Sequence, residues 1–205
     1  MITIIDGGIN NLRSVQKAFE HLEYSTHVSR SPDEIAGAEK LVLPGVGAFG
    51  AAMKNLRDAE LVEPIIEHIA SGKPFLGICL AMQLLFDWSD ELGLNAGLGV
   101  LPGKVVKIEG APASQERLKI PHMGWSTLEF PRESNLFKGI ESGASVYFVH
   151  SYHAVPDDDS IIAARSTHGA PFVAAVERDN VMATQFHPEK SSDVGLQILN
   201  NFGKI

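Results

Sequence analysis

Cysteine is almost missing from this chain of 205 residues, which holds a single one, Cys79. A disulfide framework within the chain is thereby excluded, and the composition fits a reducing compartment. Basic residues are scarce too: 17 lysines and arginines stand against 25 carboxylates, for a formal net charge of -8. The one tight acidic run is Asp157 to Asp159, and no basic face stands out. Nucleic acid is a poor candidate for the main ligand, because binding phosphates requires such a face. No apolar run approaches the roughly eighteen residues of a membrane span, and Met1 to Gly8 offers no basic leader region before Asp6. A cytosolic protein is expected.

Hydrophobic residues, by contrast, make up 44% of the chain. A chain of this length can bury about 70% of its unfolded surface, enough for one domain, 1–205, without a metal or disulfide staple. The first half alternates short, wholly apolar runs with amphipathic segments, the pattern of parallel strands covered on both faces by crossover helices. Strands are expected at Ile2 to Ile5, Leu41 to Leu43 and Phe75 to Ile78, and helices at Asn11 to Leu22, Ala48 to Leu56, Val62 to Ala70 and about Cys79 to Trp88. After Leu94 the chain becomes β-rich, with segments at Val105 to Ile108, Ser145 to Val149, Ile161 to Ala164, Phe172 to Val176 and Val181 to Gln185. A helix over about Asp193 to Phe202 ends it. No repeat or linker divides the chain, so an α/β/α sandwich with a mostly parallel central sheet is the economical architecture.

In Lys73-Pro-Phe-Leu-Gly-Ile-Cys-Leu-Ala-Met-Gln83 the cysteine falls where a buried strand turns into a helix, with Gly77 and Ala81 two residues to either side. Small neighbours and a strand-to-helix turn make a nucleophile elbow, and a helix start favours a thiolate. The backbone N–H of Leu80 then faces the place where an oxyanion would form. A lone cysteine on an apolar strand is more often core filler, so the elbow needs a partner elsewhere in the chain.

Gln185-Phe-His-Pro-Glu189 supplies one. His187 and Glu189 stand two residues apart, on one side of an extended segment and about 6.6 Å apart at their α-carbons. The carboxylate can accept from one ring nitrogen, which leaves the other to exchange a proton with a thiol. A histidine and an acid at this spacing are commonly just a polar turn; together with the elbow they complete the logic of a thiol acyl-transfer triad. His150 and His153 suggest a metal pair, but no third ligand is spaced near them, and strand-end packing accounts for them better.

Gly45-Val-Gly-Ala-Phe-Gly50 has the spacing of a dinucleotide-binding turn, yet Pro44 precedes it and it does not follow the first strand. The alternative is that the backbone N–H groups of Val46 and Gly47 complete an oxyanion hole with Leu80.

Taken with Asn11-Leu-Arg-Ser-Val15, Pro121-His-Met-Gly-Trp125, Tyr147-Phe-Val-His-Ser-Tyr152 and Phe186-His-Pro-Glu-Lys-Ser191, these motifs resemble the class I (triad) glutamine amidotransferases over nearly the whole chain. The likeness is greatest to the glutaminase chains that serve a cyclase in histidine biosynthesis. It implies a flavodoxin-like sandwich in which Cys79 attacks the side-chain amide of glutamine, His187 moves the protons and Glu189 holds the imidazole, with no cofactor and no metal. It also implies that Gly47, Gln83, Ser151 and Tyr152 bind glutamine. Asn11, Met123, Trp125, Tyr147 and Lys190 would face a separate (β/α)8-barrel cyclase that takes up the ammonia in a heterodimer.

The chain departs from the family pattern at Ala81, where glycine is usual, at Asn10, usually glycine or alanine, and at Ser126, usually asparagine. The Ala81 methyl is expected to crowd the glutamine pocket, overpacking of that kind costing about 1 to 3 kcal/mol; the other two bear on the partner. Two rivals remain at this point. One is a paralogous amidotransferase subunit of a nucleotide-sugar or polysaccharide pathway, and the other a catalytically silent binding module.

Overall fold

The structure, a computed structural model, describes residues 1–8, 11–109 and 118–205. Its elements follow in chain order as β1 (Ile2–Ile5), α1 (Leu12–His21), β2 (Thr26–Ser29), α2 (Pro32–Gly37), β3 (Lys40–Gly45), α3 (Phe49–Asp58), α4 (Val62–Ala70), β4 (Phe75–Cys79) and α5 (Leu80–Leu84). Then come β5 (Phe86–Ser89), β6 (Asn95–Ala96), β7 (Leu101–Lys107), β8 (His122–Thr127), β9 (Ser145–His150), β10 (Tyr152–Pro156), β11 (Ile162–His168), β12 (Ala170–Arg178), β13 (Val181–Thr184) and α6 (Ser192–Gly203).

Among the described residues the main sheet has seven strands in the order β11-β12-β13-β4-β3-β1-β2. From β13 to β2 neighbouring strands are parallel, while β12 and β11 extend the sheet antiparallel. The parallel part has the strand order of a flavodoxin-like sheet. Its central strands β1, β4 and β13 are buried along their whole length and mostly apolar because both faces are covered. Leu41, Leu43 and Phe75 point into a core shared with α3, α4 and α5. Val42, Leu76 and Ile78 point the other way, into a core shared with α1 and α6. A second sheet, β10-β7-β5-β6, and a hairpin of β8 with β9 flank this sandwich.

The helix expected over 79–88 stops early. The carbonyls of Leu84 and Leu85 accept N–H groups from Leu98, Val100 and Leu101, so they cannot serve the next helical turn, and Phe86 to Ser89 becomes strand β5. That close approach needs Gly97, since a Cβ there would fall 2.1 Å from the carbonyl oxygen of Phe86. Strands β2, β6, β8 and β10 and helix α2 were not expected from the pattern.

The β8–β9 hairpin is held to the sandwich by a cluster of rings. His122 stacks on Phe148 with centroids 4.9 Å apart and on His168 at 4.1 Å, and His150 packs on Phe172 at 5.0 Å. Strand-end packing thus accounts for His150, and among the described residues no His, Cys, Asp and Glu group gathers to hold a metal ion. Burial, reinforced by His168, lowers the His122 pKa to about 4. Burial, reinforced by the neighbouring histidines, lowers that of His150 to about 3. Both rings fold neutral, so their contribution is fully present above the ordinary histidine value near 6.5 and is lost as pH falls toward the folded values. Thermal melting should therefore show stability dropping by on the order of a few kcal/mol between pH 7 and pH 4. His122→Gln, which keeps a donor toward His150, should flatten that slope; an unchanged slope would contradict the assignment.

Candidate active site

Strand β4 is buried throughout and ends on Cys79, whose backbone sits at φ 57 and ψ -110. Non-glycine residues rarely adopt such a conformation, and it persists only where the surroundings enforce it. Part of the enforcement comes from the adjacent strand β3, whose last residue is Gly45. A Cβ on Gly45 would lie 2.9 Å from the backbone nitrogen of Ala81 and 3.1 Å from the Leu80 Cβ, so only a bare α-carbon lets the strand end pass the elbow. The glycine-rich stretch is therefore a packing device at its first position and a cavity wall at Val46 and Gly47.

His187 arrives from the neighbouring strand. β13 pairs in parallel with β4, Thr184 opposite Ile78, so both chains leave the sheet at the same edge. Beyond it, Pro188–Lys190 forms a single 3₁₀ turn where an extended segment was expected. Proline at the first position of a helical turn loses no hydrogen bond and brings its φ preset. The turn still unites the pair: His187 Nδ1 donates to Glu189 Oε1 at 2.7 Å, with the side chains 1% and 0% exposed. Three further contacts fix the loop. His187 N donates to Tyr147 O at 3.0 Å, the Ser191 hydroxyl donates to His187 O at 2.6 Å, and the same hydroxyl oxygen accepts from Tyr147 N at 2.9 Å.

Asn11, expected to face a partner, turns its side chain inward and donates Nδ2 to Glu189 Oε1 at 2.6 Å. Oε1 of the buried carboxylate thus has two donors, while Oε2 is buried with no partner among the described residues. His187 Nε2 is buried and has no hydrogen-bond partner among the described residues. Burial by itself favours the neutral ring; nearby Cys79 and then Glu189 outweigh it and push the imidazole up to about 10. The arrangement leaves Nε2 as the ring nitrogen able to exchange a proton while the bond to Glu189 holds the tautomer.

Cys79 lines a cavity of about 360 Å³ together with Val46, Gly47, Leu80, Gln83, Ser151 and Tyr152, so the expected oxyanion and glutamine-binding residues share one wall. Glu91, which nothing in the sequence pattern singled out, also lines it and accepts from Phe49 N at 2.6 Å. Ala81 is fully buried in the core behind the elbow and is not on the cavity wall, so its methyl does not crowd the pocket. On β8, Met123 and Trp125 are 63% and 55% exposed, and Trp125 meets Tyr147 edge-on at 6.1 Å. Lys190 is exposed at the end of the 3₁₀ turn after His187. Ser126 donates to or accepts from His122 Nε2 at 2.9 Å; Asn10 lies outside the described residues.

Comparison with known proteins adds to this geometry. The family model for glutamine amidotransferase class-I matches residues 3–204. The chain is 57% identical to the imidazole glycerol phosphate synthase subunit HisH of Syntrophotalea carbinolica, covering 100% of both chains. It is 54% identical to the subunit of the same name from Geobacter sulfurreducens, over 100% of this chain and 98% of that one. A solved structure described as a glutamine amidotransferase shares the fold at a TM-score of 0.74 and 19% identity, with 98% of each chain covered. The chain belongs to the class-I glutamine amidotransferase family.

Proposed function

We propose that this chain is the glutaminase subunit of an imidazole glycerol phosphate synthase of histidine biosynthesis, with Cys79, His187 and Glu189 as its triad. The observation that carries the mechanism is the buried hydrogen bond from His187 Nδ1 to Glu189 Oε1 at 2.7 Å, which leaves Nε2 buried and unpartnered among the described residues, just past the strand that pairs with the one ending at Cys79. The names of the full-length relatives support the synthase.

The Cys79 thiolate attacks the side-chain carbonyl carbon of glutamine, and the backbone N–H groups of Val46, Gly47 and Leu80 receive the oxyanion. As the C–N bond breaks, nitrogen takes the His187 proton and leaves as ammonia, and the glutamyl group stays on sulfur as a thioester. The now neutral His187 deprotonates water, which attacks the thioester; glutamate departs and the thiolate–imidazolium pair is restored. Gly47, Gln83, Ser151 and Tyr152 hold the substrate. Glu91, the one carboxylate among the described residues lining the cavity, meets its ammonium group.

Ammonia released into water at neutral pH is mostly protonated and no longer nucleophilic, so it must pass through a closed interface. The receiving chain is a (β/α)8-barrel cyclase that forms imidazole glycerol phosphate and an aminoimidazole carboxamide ribotide. Met123 and Trp125, large apolar side chains in water, with Tyr147 and Lys190 beside the triad loop, suit the docking face.

Three outcomes are expected. Cys79→Ala should lower glutamine-dependent synthesis by the assembled enzyme at least about a thousandfold while ammonia-dependent synthesis stays near its original rate; turnover that persists with glutamine would remove Cys79 as nucleophile. Glu91→Gln should raise KM for glutamine about tenfold with a smaller change in kcat; a fall in kcat alone would place Glu91 elsewhere in the cycle. Because His187 is pushed up to about 10, its imidazolium persists below that pH and is lost above it. NMR titration of the ring should show this, with the midpoint dropping in Cys79→Ala, where burial regains the upper hand; an equal midpoint in both proteins would mean that no thiolate neighbours the ring.

A further inference from the structure

Gln185, two residues before His187, is fully buried and has no part in the triad chemistry described above. The pairing of Thr184 with Ile78 puts it across from Cys79, and its backbone N–H is fixed to Ala174 O at 2.8 Å. Its side-chain Nε2 lies 3.7 Å from Cys79 Sγ, within donor range of sulfur.

The orientation of that amide is dictated from outside. The backbone carbonyl of Tyr152 can only accept, so Gln83 must turn its Nε2 toward it, at 2.9 Å. The second hydrogen on the same nitrogen goes to Gln185 Oε1, also at 2.9 Å. Gln185 is left with its nitrogen facing the sulfur. The Tyr152 carbonyl is itself held by His150 Nδ1 at 2.9 Å, and His150 Nε2 accepts from His122 Nδ1 at 3.0 Å. A run of donors pointing one way thus begins on the β8–β9 hairpin and fixes the acceptor on which the two glutamines depend.

Two contacts at the sulfur favour opposite protonation states. Val149 O, at 3.9 Å, is useful only to a thiol S–H. The Gln185 N–H can only donate, which favours the thiolate, and a donor toward an anion strengthens where water is excluded.

We infer that Gln185 is a further catalytic residue, donating through Nε2 to the Cys79 sulfur and holding it as thiolate, with its amide oriented by Gln83 and the Tyr152 carbonyl. No bond to Gln185 forms or breaks; the thiol proton resides on His187. Stabilising the anion raises the thiolate population, somewhat weakens its attack, and makes sulfur a better leaving group when water opens the thioester. The inference deepens the proposed triad and rests on Cys79 being its nucleophile.

The single cysteine makes the test specific, since iodoacetamide alkylation of the full chain reports Cys79 alone. Gln185→Met, close in volume and without a donor, should shift the pH profile of alkylation upward by about one unit, or roughly tenfold slower reaction near neutrality. Gln83→Met leaves Gln185 in place and only frees its amide, so it should shift the profile the same way by less. It also supplies the readout if melting shows that Gln185→Met does not fold. A profile unchanged from the parent in a folded variant would overturn the role of Gln185. Retained glutamine-dependent turnover in Cys79→Ala would instead overturn the triad, so the two failures are distinguishable.

Discussion

Strands β4 and β13 are a hundred residues apart in the chain and hydrogen-bonded side by side in the sheet, Phe75 opposite Val181 and Ile78 opposite Thr184. Because they are parallel, both release the chain at the same edge, where open α/β sheets assemble their sites. Cys79 is the next residue on one strand, and Gln185 and His187 follow on the other. The register decides the chemistry, since a slip of one residue would turn the alternating side chains to the opposite face. The neighbouring β3 closes the arrangement from the other side, with Gly45 admitting the elbow and Val46 and Gly47 continuing into the cavity wall.

The same protein drives one side-chain type in two directions. His150 and His122 are buried among rings and one another, with no anion in hydrogen-bond contact among the described residues, and burial lowers them to about 3 and about 4. His187 is equally buried but has Cys79 and Glu189 as acidic neighbours, and is raised to about 10. Desolvation acts on all three; the local anions settle the sign. The neutral pair is suited to holding geometry with fixed tautomers, and the charged ring to moving a proton. The two sets are mechanically joined, since β9 carries His150 and also receives the His187 N–H on Tyr147 O. A chain docking on Trp125 and Tyr147 would therefore press on the strand that anchors the His187–Ser191 loop.

Much of this was legible in the sequence where one element fixes its own conformation. The fully apolar runs of β1, β3 and β4, the amphipathic α1, α3 and α4, and the small residues around Cys79 announce a parallel sheet and an elbow. The motif Gln185 to Glu189 announces a base beside an acid. What escaped depends on contacts distant in the chain. Phe86 to Ser89 looks helical until the loop through Gly97 takes the carbonyls that the helix would need. Asn11 at the start of a helix gives no sign of reaching Glu189, and Glu91 in a polar loop gives none of lining the cavity. Gln185 was in view as part of a motif, but its bearing on the sulfur appears only once β4 lies next to β13.

The central claim is that Cys79, on the wall of the cavity, and His187, buried behind it, form one reacting unit. Mass spectrometry of the chain after exposure to an electrophilic glutamine analogue tests it directly. A single adduct on Cys79, formed much more slowly in His187→Ala, is the result this account predicts. No adduct at Cys79, or formation at the same rate without the imidazole, would contradict it.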